Sequence, residues 1–311
     1  MDIWGIVAAS ISEAALRPFE IRKTAAVGGG SINEAYRLGG ADGTSYFLKL
    51  NEIRHLPVFV AEAAGLDAIA ATGTIRVPRP IAHGSADGKS YLALEHLELS
   101  SHGNARMLGE LLAALHRCIP SPSSLTLPLQ GGGNDGKSSC FGFPHDNFIG
   151  TTPQPNTLKD NWIEFWREQR LGFQLRLAAQ NGFGGQLQSL GEKLMGALPA
   201  FFVGYTPAPS LLHGDLWSGN HAFLADGTPT IFDPAVYYGD RECDLAMSEL
   251  FGGYSGDFYA AYRAAYPLDA GYAKRRDLYN LYHILNHANL FGSGYARQAE
   301  QMMQKLLAVA N

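Results

Sequence analysis

Three polar residues late in the chain, Asp215, Asn220 and Asp233, stand in an order suited to moving a phosphoryl group. In that chemistry one carboxylate takes the proton of an attacking hydroxyl. Further oxygen ligands hold a divalent cation on the nucleotide phosphates. Asp215 suits the first role. Asn220, five residues on, and Asp233, thirteen further behind a short apolar strand, suit the second. Hard Mg²⁺ prefers oxygen donors and keeps part of its water, so few protein ligands suffice. Singly, each of these residues also fits a turn or a helix cap. The three in this order, between apolar strands, favour the chemical reading.

Upstream residues extend the set. Lys49 lies on a stretch, Ser45 to Leu50, in which Tyr46, Leu48 and Leu50 share one face and Phe47 and Lys49 the other. In the helix that follows, Phe59, Glu62, Leu66 and Ile69 fall on one stripe. A carboxylate within an apolar stripe is costly unless paired, and Lys49 is the available partner; a polar stripe edge is the plainer account of Glu62. Such a Lys–Glu pair positions an ammonium on nucleotide phosphates. Gly28, Gly29, Gly30, Ser31 and Asn33 form a glycine-rich connection between two predicted strands. It reads either as a cradle for anionic oxygens or as a tight hairpin. Glu95 and Leu97 close the strand-rich part, where backbone groups could meet an adenine edge; an ordinary strand is the alternative.

The elements that must position these groups divide the chain. Strand patterns fill residues 20–97: Ile21 to Val27, Glu34 to Leu38, Ser45 to Leu50 and Ser90 to Leu97, with one helix opened by Pro57 and running to about Ala71. Helical patterns dominate afterwards. They run from Asn104 to Arg117, Leu158 to Ala179 (burying Trp162, Phe165, Trp166, Phe173 and Leu177), Glu242 to Phe251, Ala270 to Phe291 and Tyr295 to Ala310. Residues 119–157 read as a long irregular stretch, including Gly131 to Gly136. The prediction is an α+β, two-lobed chain: residues 1–97 a nucleotide-binding lobe with a small antiparallel sheet, residues 98–311 a mostly helical catalytic and acceptor-binding lobe. Ligands favour the cleft between such lobes. Asp240 and Asp244 open the helix after Asp233, the first as a cap and the second placed to orient the Asp215 loop. Few residues separate Asp233 from that helix, which argues for a constitutively assembled site.

The 311 residues are 46% hydrophobic and 17% charged, with a net charge of −5. That composition is ordinary for a globular protein and carries no basic footprint for nucleic acid. No apolar run reaches membrane-spanning length. The first twenty residues read as an amphipathic helix rather than a signal peptide. Cys118, Cys140 and Cys243 lack disulfide or zinc spacing, which predicts thiols in a reducing, cytoplasmic setting. His283 and His287, four apart, read as packing residues. No serine elbow, His-Glu-x-x-His pair or Walker A run is present.

The run His213-Gly214-Asp215-Leu216-Trp217-Ser218-Gly219-Asn220 resembles the signature of the fructosamine (ketosamine 3-) kinases. The wider aminoglycoside and choline kinase-like group shares the His-Gly-Asp and the Asn but usually not the Trp-Ser-Gly between them. Gly28 to Asn33, Phe141 to Phe143 through Gln154 to Asn156, Trp162 to Leu171 and Tyr282 to Gly292 are similar to the same family. The resemblance implies a bilobal protein kinase-like fold, ATP with Mg²⁺, and phosphorylation of the sugar O3 of free or protein-bound ketosamines, a deglycation role. It implies Asp215 as base, Asn220 and Asp233 as metal ligands, and Lys49 with Glu62 on the phosphates. Trp217 and His213 are then candidates to meet the acceptor, with core packing as the alternative for Trp217. Ser31 stands where some members carry Cys, and the Gly131 to Ser139 run has no clear family counterpart. Two other functions remain open at this point: another hydroxyl acceptor such as an aminoglycoside, choline or a simple sugar, and a nucleotide-binding pseudokinase.

Overall fold

The computed structural model describes residues 2–28, 33–119 and 140–310. Gly29, Gly30 and Ser31 of the glycine-rich connection, and the Gly131 to Ser139 run, lie outside the described residues. The chain divides into two compact units, Met1–Leu108 with Asn220–Pro234, and Gly109–Gly219 with Ala235–Asn311.

The first unit begins with α1 (Ile3–Ala15), whose first turn is capped by Asp2 accepting the Gly5 N–H at 2.9 Å. Three strands follow, β1 (Ile21–Ala26), β2 (Glu34–Gly40) and β3 (Ser45–Glu52), then α2 (Leu56–Ala70) with proline in its first turn. The strands β4 (Pro80–Ala86) and β5 (Lys89–Glu95) complete a five-stranded antiparallel sheet in the order β1-β2-β3-β5-β4. Alternation along β3 sends Tyr46, Leu48 and Leu50 into a core with Val7 and Ile11 of α1 and with Leu38, Tyr91 and Ala93. The same alternation turns Lys49 to the opposite face. On α2 the stripe of Phe59, Glu62, Leu66 and Ile69 is buried, the carboxylate included.

In the helical region, α3 (Ala105–Leu115) is capped by Asn104, whose Oδ1 accepts the Met107 N–H at 2.9 Å. The stretch predicted to be irregular contains a short hairpin, β6 (Asn147–Ile149) and β7 (Thr152–Gln154). The helix predicted from Leu158 starts later, because Asn161 caps it by accepting the Glu164 N–H at 3.0 Å. It runs as α4 (Trp162–Phe165), a π-helical segment Trp166–Leu171, and α5 (Gly172–Gln180). The wide turns rotate the downstream face. Gln174, Leu175 and Ala178 are buried there, whereas Phe173 and Leu177, the predicted face, are only half-buried.

The helix α6 (Gln186–Ala197) was not legible from periodicity. Next come β8 (Pro209–Leu212), then β9 (His221–Phe223) and β10 (Pro229–Ile231), which pair with each other within the first unit. Back in the second unit, β11 (Tyr237–Asp240) pairs with β8 and leads into α7 (Glu242–Leu250), α8 (Gly256–Ala265), α9 (Tyr272–Phe291) and α10 (Ser293–Ala310). An aromatic-rich core of Trp162, Phe165, Trp166, Tyr237, Tyr279 and Tyr282 binds these elements together. Among the described residues no helix is long and apolar enough to cross a membrane, and all three cysteines are free thiols.

Candidate active site

In the first unit the Lys49 ammonium donates to Glu62 Oε1 at 2.7 Å and to Asp233 Oδ1 at 2.5 Å. Strand alternation aims the lysine at α2, and the α2 stripe holds Glu62 toward it. Burial opposes the charge on Lys49, but the fields of Asp233 and Glu62 outweigh it and raise its pKa. Burial likewise pushes the Glu62 carboxyl up, to about 6, against the stabilising field of Lys49. At neutral pH the ammonium therefore keeps the Glu62 carboxylate ionised.

Asp233 and Asn220 are brought to one end of a ladder. Ile231 pairs with His221, so the residue before β9 and those after β10 meet, and the Phe232 N–H donates to the Asn220 carbonyl at 3.1 Å. Asn220 is buried, and the Asp233 side chain keeps 46% of its exposure. Asp233 has a backbone φ of +59°, in the left-handed region that Asp tolerates better than most residues. Among the described residues no group of three His, Cys, Asp or Glu side chains could hold a metal by itself. Two oxygen-bearing side chains at one ladder end fit a Mg²⁺ that takes its other ligands from phosphate and water.

The remaining first-unit candidates are less tightly tied. Gly28 is exposed, and a methyl group there would touch nothing. The Asn33 side-chain oxygen accepts from Asn51 Nδ2 at 2.7 Å. The Glu95 N–H is committed to the Arg79 carbonyl at 2.8 Å, and its carboxylate binds Arg76 at 2.5 Å. That N–H is therefore taken. The Leu97 N–H and C=O have no partner among the described residues.

In the second unit, β8 delivers His213, Gly214 and Asp215. The buried Asp244 carboxylate at the start of α7 accepts the His213 N–H at 2.7 Å and the Gly214 N–H at 2.8 Å. It also meets His116 Nε2 at 3.1 Å, and the other nitrogen of that ring meets the Tyr262 hydroxyl at 2.8 Å. Burial would raise the Asp244 pKa, but His116, the His213 ring and the Gly214 N–H together hold it below the ordinary value. Gly214 has φ +83° and its α-carbon lies against the Ala235 carbonyl, while the Ala235 N–H donates to the His213 carbonyl at 2.8 Å.

His213, expected from the resemblance to meet an acceptor, is fully buried. Its Nδ1 accepts the Asp215 N–H at 3.2 Å, so its ring acts on the backbone of this loop. Trp217, by contrast, is 39% exposed. Its carbonyl accepts from the Tyr254 hydroxyl at 3.0 Å, and its indole lies so close over Gly219 that any side chain there would strike the ring. The Ser218 hydroxyl donates to the Phe251 carbonyl at 3.2 Å. Those contacts give a local reason for a Trp-Ser-Gly run.

One supporting group escaped the sequence reading. Gln154 Nε2 donates to the Ala235 carbonyl at 3.0 Å and Asn147 Nδ2 to the Val236 carbonyl at 2.7 Å. Asn156 Nδ2 donates to Asn147 Oδ1, and Arg170, stacked 4.0 Å over the Tyr237 ring, donates to Asn156 Oδ1. These buried amides fix the chain just beyond Asp233. Their sequence signals were the family-like stretches from Phe141 through Asn156 and from Trp162 to Leu171, which gave these side chains no role.

Solved structures place the fold in the class of kinase-like phosphotransferases. An aminoglycoside phosphotransferase superposes with a TM-score of 0.58, covering 97% of this chain and 98% of its own, at 14% identity, a likeness of fold alone. A Haemophilus somnus structure provisionally designated fructosamine-3-kinase reaches a TM-score of 0.83 over 98% of this chain and 99% of its own, at 27% identity. The fructosamine kinase family model matches residues 3–309, and this chain belongs to that family. It is 47% identical to a Synechocystis protein described as a probable ketoamine kinase, over 98% of this chain and 97% of the relative. It is 43% identical to the chloroplastic protein-ribulosamine 3-kinase of Arabidopsis thaliana, over 93% of this chain and 83% of the relative. Membership makes it an ATP-dependent phosphotransferase acting on a sugar hydroxyl.

Proposed function

We propose that this chain transfers the γ-phosphoryl group of Mg²⁺-ATP to the sugar O3 of ketosamines, with Asp215 as the base. The observation that carries the reading is the Lys49–Glu62–Asp233 cluster, formed in a chain that matches its family almost end to end. Asp215 orients the acceptor hydroxyl and takes its proton as the O3–phosphorus bond forms. The bond from phosphorus to the β–γ bridging oxygen breaks, and ADP leaves. Lys49, anchored by Glu62, binds the phosphates and offsets the developing charge. Asn220 and Asp233 would hold Mg²⁺, which when bound neutralises phosphate charge. The Leu97 N–H is the backbone group left to an adenine edge, and exposed Trp217 offers a flat apolar face to the sugar or its amine. Buried Asp244 and His213 keep Asp215 in place, so most of the rate comes from positioning. An aminoglycoside acceptor is supported only at the level of fold, and a nucleotide-binding pseudokinase would use Lys49, Asn220 and Asp233 but leave Asp215 without a role.

Asp215→Asn tests the assignment. We expect kcat on a ribulosamine or fructosamine of lysine to fall by at least about a thousandfold, with ATP affinity nearly unchanged. Near-full activity in that variant would remove Asp215 from the mechanism. Turnover of an aminoglycoside and not of either ketosamine would replace the acceptor.

A further inference from the structure

A cavity of about 530 Å³ in the second unit, shallow and broadly open to solvent, is lined by Glu249, Gly252, Gly253, Tyr259 and Arg263. Its charges are unequally matched. The Glu249 carboxylate accepts from the Tyr272 hydroxyl at 2.8 Å and from Arg276 at 3.3 Å, so its negative charge already has a cation. Arg263, exposed on α8, forms no ion pair or hydrogen bond among the described residues; its guanidinium lies 5.8 Å over the Tyr259 ring. The cavity thus presents an uncommitted guanidinium beside an aromatic face.

The cavity is also wired to the Asp215 loop. The Tyr259 hydroxyl accepts the Tyr254 N–H at 3.1 Å, and the Tyr254 hydroxyl donates to the Trp217 carbonyl at 3.0 Å. Tyr254 is close enough to Asp215 to feel its charge: burial, then Asp244, Tyr259 and Asp215, all raise the phenol's pKa. Gly252 and Gly253 adopt left-handed φ values of +87° and +73°, which bend the chain between the cavity and Tyr254.

From this geometry we infer that the cavity is a subsite for a carboxylate carried on the amine side of the acceptor, with Arg263 as its partner. The inference rests on the ketosamine reading above. Guanidinium binds carboxylate through paired, charge-assisted hydrogen bonds, which an ester or an amide cannot replace. Two sources share that chemistry: the α-carboxylate of a free glycated amino acid, and an acidic side chain beside a glycated lysine in a polypeptide.

The test compares wild type, Arg263→Gln and Arg263→Lys on the ribulosamine of Nα-acetyl-lysine and on its methyl ester. We expect Arg263→Gln to raise KM for the acid about tenfold with kcat little changed, Arg263→Lys to recover part of that loss, and the ester to behave alike in all three proteins. Equal effects on acid and ester, or none on either, would overturn the subsite while leaving the ketosamine reading intact. A wild type that phosphorylates neither compound would overturn both. Glycated peptides with blocked termini and either Glu or Ala beside the lysine separate the sources. Arg263-dependent preference for the Glu peptide assigns the site to acidic polypeptides; absence of that preference, with the acid effect present, assigns it to free ketosamines.

Discussion

Replacing Gly214 by alanine would displace the Asp215 loop by an amount the structure fixes. The new methyl carbon would lie 2.0 Å from the Ala235 carbonyl oxygen and 2.7 Å from its carbon, where 3.0 Å is the closest approach such atoms tolerate. About 1 Å of movement must therefore be found between two backbone segments, a shift of the size that costs an active site about a hundredfold. Neither segment is free to yield. The Ala235 carbonyl is held by Gln154 Nε2 at 3.0 Å, its N–H by the His213 carbonyl at 2.8 Å, and the Gly214 N–H by Asp244 at 2.8 Å. The φ of +83° adds roughly 1–2 kcal/mol of strain for any residue with a β-carbon. The assay is kcat for a ketosamine at saturating ATP, beside thermal unfolding. Gly182→Ala serves as control, since Gly182 has φ +88° with nothing within 4 Å of the added methyl. It should lose stability and keep kcat. A Gly214→Ala protein that is folded and within about threefold of wild-type kcat would refute the idea that this backbone contact sets the position of Asp215.

Further outcomes follow from the buried titratable groups. Glu62→Gln leaves Lys49 only Asp233 as an anionic partner, so KM for ATP should rise about tenfold, read by steady-state kinetics. Because the Glu62 carboxyl in the fold is pushed up to about 6, above its unfolded value, acidification through pH 6 protonates it without loss of stability but removes one of the two anionic partners of Lys49. The ATP KM of wild type should therefore climb below pH 6, and a variant curve that climbs equally would count against the pair. His283, buried beside His287, is lowered to about 3 by burial first and by the His287 and Arg170 charges, partly opposed by Asp244. A folded pKa below the unfolded one gives stability that is present above pH 6.5 and lost as pH falls toward 3. About 2 kcal/mol should go between pH 7 and pH 5. Raised Glu62 and Glu242 push the other way over that range, so the wild-type curve alone is uninformative. The urea-unfolding difference between wild type and His283→Phe isolates the histidine, and parallel curves would refute its part.

Some of this site could be read from residues alone, and the physics says which part. The Lys49–Glu62 pair was legible because a helical stripe left the Glu62 carboxylate on an apolar face, where it needs a partner, and the lysine of the preceding strand was the available one. The His213 to Asn220 run was legible because its spacing is local to one turn. The supporting amides were not. Asn147 and Gln154 serve carbonyls at Val236 and Ala235, and no local pattern announces a partner more than eighty residues away. The π-helical turns at Trp166–Leu171 escaped for a different reason: one altered turn moves every later residue to a new face, so Leu175 and Ala178 took the places that a uniform period gave to Phe173 and Leu177. His213 was expected at the acceptor and lies buried on the backbone instead; burial is a tertiary property, and a ring beside a candidate base looks the same in sequence whether it meets substrate or backbone.

The segment between Asp233 and α7 carries the regulatory argument. Only eight residues, Pro234 to Arg241, join them. Ala235 is tied through both its N–H and its carbonyl, and the Val236 carbonyl is held by Asn147. Tyr238 exchanges two backbone hydrogen bonds with Gly142, at 2.8 and 2.9 Å. Asp240 accepts from Tyr205 at 3.0 Å, Tyr279 at 2.5 Å and the Glu242 N–H at 3.0 Å, and Arg241 reaches Tyr262 at 3.1 Å. A segment that switches must have an alternative arrangement within a few kcal/mol. Freeing this one would leave Asp240 without three donors, deprive Asn147 and Gln154 of one acceptor each, and part the paired strands β8 and β11, all in a dry interior where each unmade hydrogen bond costs about 1–3 kcal/mol. The summed cost is beyond what a single phosphorylation or ligand contact supplies. The segment from Ala235 to Arg241 is therefore set by folding itself.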